Sequence, residues 1–371
     1  MEDKLVTLAI HTYQKAQILK TLLESEGVEV YLHNVNLIQP VVSAGVRVRI
    51  KESDLPKALK VVEDTDFFKE EKVYKKKESK TQKILIPIDF SNYSTRACAL
   101  GFDLANKTGI EIVIFHAFFT PFFPSTMPSD SFTYQVLNEE EATLMQNEAQ
   151  KELDKFTAFI NEKIQKGEWA DVKFTSILRS GLPEEEIIGY CKQESPALII
   201  MGTRGKNQKD ADLIGSVTAE VLDLSKIPLF AIPEKTPFSN FSEVKKVAFG
   251  TNFDQKDLIA VDTLFKLLKP YNIEYYFFHM AQKQENDAWT EIKLAGIKEY
   301  FEKQYPNLSI HYRMIDGNDL ILNVDEFIRK NNIDIISLST HKRNIFARLF
   351  NPSMARKMLF HTDTPILAIH S

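Results

Sequence analysis

The sequence predicts an α/β protein: two successive open parallel-sheet regions behind a small α+β unit. Three observations carry this reading. Apolar runs of strand length, ILIPI at 84–88, IEIVIFHA at 110–117 and ALIIM at 197–201, have the hydrophobicity of strands buried on both faces, and segments of helical periodicity separate them. The chain also repeats itself, with KVAFGTNFD from Lys246 mirroring KILIPIDFS from Lys83, and EYYFFHMA mirroring EIVIFHAF. Finally, 371 residues at 44% hydrophobic and 26% charged are too many for one small domain and suit two or three globular ones. The expected boundaries are 1–68, 81–234 and 243–371.

In residues 1–68 the expected order is β-α-β-β-α, most of a ferredoxin-like unit. A strand at 5–10 precedes a helix at 14–26, which carries Ile18, Leu19, Leu22 and Leu23 on one face and stops at Gly27. Strands follow at 28–32 and 45–50; in the latter Val46, Val48 and Ile50 alternate with Arg47 and Arg49. Asp54 then caps a helix with Pro56 in its first turn. This pattern resembles the small signal-transducing, PII-like module, a likeness that implies contact with a protein or a small effector. The lysine-rich stretch KEEKVYKKKESK at 69–80 reads as a solvated linker.

Beyond the linker, the strand at 84–88 ends in Asp89. Ser91 caps a helix whose Tyr93, Ala97, Leu100 and Leu104 form one stripe, with Gly109 after it. His116 lies inside the second strand, where a packed, hydrogen-bonded imidazole is expected rather than a metal ligand. The Phe- and Pro-rich loop at 118–135 is expected to pack on the body, and 139–166 to form one long charged helix. After the strand at 197–201, Gly202 and Gly205 bracket a turn. Gly215 and Ser216 then lead into a helix with Val217, Val221 and Leu222, for which Ser216 is the expected N-cap. Strand, glycine loop and helix start are the parts of a phosphate cradle, because backbone N–H groups can converge on an anion where no Cβ blocks its approach.

The full spacing, Gly202-x2-Gly205-x9-Gly215-Ser216, resembles the nucleotide-binding signature of the universal stress protein family. ILIPIDFS, VIFHA and SGLPEEEIIGYCKQESPALIIMG resemble the family's other segments in the same order, and PLFAI at 228–232 closes the likeness over about 81–234. The resemblance implies a Rossmann-like sheet of order 3-2-1-4-5, with the ligand beyond the carboxyl ends of the strands where the order reverses. It implies that Pro87 and Asp89 contact base and sugar and that the backbone around Ala117 lines an adenine slot. Met201, Gly202, Gly205, Gly215, Ser216 and Val217 would surround the ribose and phosphates, with charge added by Arg204 and Lys206. The implied ligand is ATP, or AMP or ADP, with Mg²⁺ as an accompanying ion.

In the second copy DIISLSTHKR lies over LIIMGTRGK and TPILAIH over IPLFAIP. Ser339 and Lys342 stand at the positions of Gly202 and Gly205, Pro352 at that of Gly215 and Asn252 at that of Asp89, while Ser353 alone matches. Three added Cβ atoms and a lost donor predict that this copy does not bind nucleotide in the family's manner. Its loop is basic, with Lys342, Arg343, Arg348, Arg356 and Lys357. Two such sheets can pair through their last strands as an intramolecular pseudo-dimer, and a homodimer of the whole chain remains compatible with this.

Net charge −5 and a pI near 6.0 give no basic domain, so no nucleic-acid partner is expected. Cys98 and Cys191 stand singly in helical contexts and suggest reduced structural thiols. With no leader-like start and no long apolar run, the expectation is a cytoplasmic protein without a membrane partner. The leading functional reading is an adenine-nucleotide binder in stress response or signalling, acting through nucleotide-dependent contacts with a protein partner. A slow ATP hydrolase or adenine-nucleotide hydrolase of the same superfamily is the second; no SGGxDS loop, HxGH pair or G-x4-GK[ST] supports it. A nucleotide-free scaffold is the third.

Overall fold

The computed structural model describes residues 5–11, 13–33, 46–54, 57–58, 61, 82–118, 123–124, 134–135, 139–203, 216–251, 255–281, 287–316, 320–339 and 364–369. The protein is α/β, with a mostly parallel central sheet.

The N-terminal unit contains β1 (Leu5–His11), α1 (Tyr13–Ser25), β2 (Val30–His33) and β3 (Val46–Lys51). Its sheet has the order β1-β3-β2, and both pairings are antiparallel. Val46, Val48 and Ile50 are fully buried and share one core with Ala16, Leu19 and Leu23 of α1, which explains why this strand alternates with arginine. Gly27 takes φ 73°, and the N–H groups of Gly27 and Val28 return to the carbonyls of Glu24 and Leu23. A Cβ would oppose that left-handed closure of α1, so glycine sits there. A short 3-10 turn, Glu52–Asp54, occupies the place of the expected cap, and Pro56 lies outside the described residues.

Everything downstream is organised by a ten-stranded sheet. Its first half uses β4 (Lys83–Pro87), β5 (Glu111–Phe118), β8 (Phe174–Ser180), β9 (Leu198–Gly202) and β10 (Leu229–Ile232). Its second half uses β11 (Lys246–Gly250), β12 (Glu274–Ala281), β13 (Ser309–Asp316), β14 (Ile335–Ser339) and β15 (Ile366–Ile369). The order is β13-β12-β11-β14-β15-β10-β9-β4-β5-β8, so each half reads 3-2-1-4-5 from its own outer edge to the centre. Neighbours are parallel everywhere except at the centre, where β10 and β15 run antiparallel. Two short strands, β6 (Phe123–Pro124) and β7 (Tyr134–Gln135), pair with each other in the aromatic loop.

Helices cover both faces, which is why the central strands are apolar throughout rather than alternating. One face carries α2 (Asn92–Thr108), α3 (Glu139–Gln165), α6 (Gln255–Leu268) and α7 (Asp287–Gln304), packed on Ile84, Ile86, Val247 and Phe249. The other carries α4 (Pro183–Glu194), α5 (Ser216–Leu224) and α8 (Leu320–Asn331), packed on Leu85, Ile199, Ala248 and Ile336. Both hydrophobic layers continue across the β10–β15 seam. Each fully buried Ile or Phe contributes about 1.5–3 kcal/mol of transfer free energy, so the seam is part of the core rather than a hinge.

The segment between the halves is fixed to α2. Arg96 donates to the carbonyls of Phe238 and Thr236, and Asp103 Oδ2 accepts from the N–H of Phe241 at 2.8 Å. Phe238, Phe241 and Val244 are buried beneath it. Cys98 and Cys191 are both buried and unbridged; burial pushes the Cys98 thiol well up and that of Cys191 to about 12, so both stay protonated at neutral pH.

Candidate functional site

The carboxyl ends of β4, β5 and β9 meet the start of α5 at one edge of the first half. Here β4 lies between β5 and β9, the place where the strand order reverses. Pro87 closes β4 in register with Phe115 and is buried. The strand therefore stops two residues before Asp89. The N–H of Ile88 still reaches Phe115 O at 2.8 Å, and Phe90 then turns away with φ 63°. A bulky side chain is rare in that left-handed region. Here the Phe90 ring packs on His116, with centroids 4.4 Å apart, and on Phe156 at 5.7 Å.

Asp89 is oriented by two serines. Its Oδ1 accepts from the hydroxyls of Ser91 (2.6 Å) and Ser94 (2.5 Å) and from the N–H of Ser91 (3.2 Å). Ser91 is the N-cap of α2, as its sequence position predicts, with φ −80° and ψ 167°. Its hydroxyl oxygen accepts from Ser94 N–H while that of Ser94 accepts from Ser91 N–H, a reciprocal capping box closed by two serines. At the other end Gly109, φ 70°, returns its N–H to Ala105 O. The helix start is thus rigid, and the half-buried Asp89 carboxyl is held at its mouth.

His116 packs as a structural histidine. Its Nδ1 lies 2.9 Å from Ile88 O; a carbonyl can only accept, so Nδ1 carries the proton in the neutral ring. Burial holds the imidazole below its usual titration range, with Ile88 O and Asp89 acting weakly in the opposite sense. Ala117, the next residue, is partly buried and pairs in register with Arg179 of β8.

On the other side of β4, all five residues of β9 are buried. Met201 and Gly202 lie opposite Ala231 and Ile232 of β10, and Thr203 N–H extends the ladder to Ile232 O at 3.0 Å. Helix α5 begins at Ser216 itself, whose side chain lies outside the described residues; Val217 follows, partly buried. The hydroxyl of Thr218, buried at 3% exposure, donates to Gly202 O at 2.8 Å. This bond fixes the strand end and the helix start relative to each other, although sixteen positions separate them. Sequence reading did not single out Thr218 or Ser94, and no local periodicity marks either.

Pro87, Asp89, Ala117, Met201, Gly202, Ser216 and Val217 are therefore brought to one edge. Arg204, Gly205, Lys206 and Gly215 lie outside the described residues, as do Asn252, Lys342, Pro352 and Ser353 of the second half. Among the described residues, no three or more His, Cys, Asp or Glu side chains stand together as a metal site. The edge offers oriented backbone, one positioned carboxyl and a helix N-terminus. Such groups favour an anionic ligand that also presents hydroxyls or ring nitrogens.

A model of the universal stress protein family matches residues 80–233. The universal stress protein MJ0577 of Methanocaldococcus jannaschii is 32% identical over 162 residues, which are 42% of this chain and 96% of the relative. A second protein of that organism, MJ0531, is 27% identical over 152 residues, 41% of this chain and 81% of the relative. Among solved structures, a universal stress protein from Archaeoglobus fulgidus is 17% identical with a TM-score of 0.59, covering 79% of this chain and 99% of that one. This last likeness is one of fold. No described helix is long and apolar enough to cross a membrane.

Proposed function

The chain belongs to the universal stress protein family, and from that premise we propose that its first α/β domain, 81–234, binds an adenine nucleotide, with ATP as the ligand and Mg²⁺ accompanying the phosphates. The observation that carries this is the convergence at the switch point. The end of β9, the end of β4 and the start of α5 meet at one edge, and the intervening sequence supplies the Gly202-x2-Gly205-x9-Gly215-Ser216 spacing. In this reading the ribose and base lie beside Asp89, Pro87 and the backbone at Ala117. The phosphates lie on N–H groups of the glycine loop and of Ser216 and Val217, beside Arg204 and Lys206. Each such bond to a charged oxygen contributes about 1.5–3 kcal/mol. Three or four sustain micromolar binding, about −8 kcal/mol, after ordering costs.

Residues 243–371 form, in the same proposal, a second domain of the family whose cradle has lost the approach to phosphate. The two domains make a built-in pseudo-dimer with one working site, and residues 1–68 form a ferredoxin-like domain that mediates contacts. The output is binding to a protein partner in stress response or signalling. The one feature that favours a nucleotide-free scaffold instead is the engagement of Asp89 Oδ1 by Ser91 and Ser94, which by itself is a sufficient structural role for that carboxyl.

Mass spectrometry of small molecules released on denaturation, with calorimetry of added ATP, decides between them. ATP, ADP or AMP is expected in the released fraction, and Gly215→Asp is expected to weaken ATP binding about 100-fold or more by placing a like charge against the phosphates. No released nucleotide together with no binding heat establishes the scaffold reading.

A further inference from the structure

Helix α5 has an unusual environment for a helix lying on a sheet. Thr218, Ala219, Glu220, Val221 and Leu222 are all buried, five consecutive positions that span every side of the helix. A helix packed on one sheet face ordinarily leaves a polar stripe to water, and α5 has none over this span. One side of α5 meets the sheet through the cluster that holds Val221 and Leu222, and another is flanked by α4. A third neighbour comes from the far end of the sequence: β1 of the N-terminal unit lies against α5. The first turn of the same helix is tied to the end of β9 through Thr218 and Gly202.

We infer that the N-terminal unit reads the ligand state of the first α/β half through α5. The inference rests on the nucleotide reading above and adds the route by which occupancy is reported. An anion at the start of α5 acts on that helix within its first turn, through the helix dipole and the N–H groups of that turn. Nine residues make a rod of about 13 Å, short and stiff enough that a change in how its start is held alters the packing along its length. β1 lies against the helix within that length. The N-terminal unit therefore feels any shift of α5, and by linkage its docking alters ligand affinity by the same factor.

The test uses the full chain. Hydrogen exchange followed by mass spectrometry, with and without saturating ATP and Mg²⁺, is expected to show about fivefold slower exchange over both 216–224 and 5–11. Val48→Asp places a carboxyl in the fully buried core of the N-terminal unit and melts that unit. By reciprocity it is expected to change the ATP dissociation constant about fivefold, while exchange over β4 and β9 stays native.

ATP binding with unchanged exchange over 5–11 overturns the inference and leaves the nucleotide reading standing. An unchanged dissociation constant in Val48→Asp overturns it equally. Absence of any ATP binding to the unaltered chain removes the nucleotide reading itself, and this inference with it. Should Val48→Asp unfold the whole molecule, the exchange of the unaltered chain decides alone.

Discussion

At the end of β4 the first half of the sheet holds a carboxyl on the strand side, Asp89, which accepts from hydroxyls at the start of α2. At the end of β11 the second half reverses the roles. The hydroxyl of Thr251 on the strand side donates at 2.7 Å to Asp257 Oδ2 in the first turn of α6. Both halves keep the same imidazole tie: His116 Nδ1 lies 2.9 Å from Ile88 O and His279 Nδ1 lies 2.8 Å from Thr251 O. Counting from these ties, Thr251 stands where Ile88 does and Asp257 where Ser94 does. The comparison separates what builds the sheet from what faces its edge. The bond that joins the first and second strands of each half is retained, whereas the carboxyl has moved from a half-buried place at the edge to one 4% exposed beneath a threonine. A group buried and bonded there serves the fold.

The largest effect is expected where that exchange is most buried. Thr251→Val removes the hydroxyl that Asp257 accepts from and costs about 2–3 kcal/mol, measured by denaturant unfolding, with ATP binding unchanged. A loss of ATP affinity in this variant would show the second half taking part in the site and break the contrast between the halves.

Ser94→Ala removes one donor to Asp89 and half of the capping box, costing about 1 kcal/mol. Because it also takes away one of the bonds that orient the Asp89 carboxyl, leaving those from Ser91, it is expected to weaken ATP binding about threefold. Unaltered affinity would mean that Asp89 serves only α2, as Asp257 serves α6.

The smallest effect is a pH dependence in the first half. Burial lowers the His116 pKa below the value near 6.5 of the unfolded chain. On acidification the unfolded chain takes up this proton before the folded one, so the stability is present above about pH 6.5 and is lost as pH falls toward the folded value. Urea midpoints measured between about pH 7 and 5.5 should fall less in His116→Gln than in the unaltered chain; equal slopes would remove the effect.

The α/β class was legible because buried parallel strands leave uninterrupted apolar runs, and α2 because Ser91 and Gly109 are local signals whose geometry needs only their neighbours. The edge strand β8 was harder to read: Phe174–Ser180 is half exposed without alternation, so neither strand pattern marks it. The site divides along the same line. The positions of Asp89 and Gly202 follow from where strands end, which a sequence announces. The bonds that orient them depend on which hydroxyl the folded chain brings near, and the Thr218 bond to Gly202 joins residues with no periodic relation. The all-round burial of α5 was likewise invisible, since one of the neighbours around it, β1, lies some two hundred positions away in the chain.

The antiparallel pairing of β10 with β15 has one further consequence. Sheet polarity reverses at that line, so the carboxyl ends of the first five strands and those of the second five point to opposite rims. A ligand seated beside Asp89 would lie at the rim opposite to the one at which β11 and β14 end. The two rims are thus set back to back by one antiparallel register, Leu229 to Ala231 against Ala368 to Ile366.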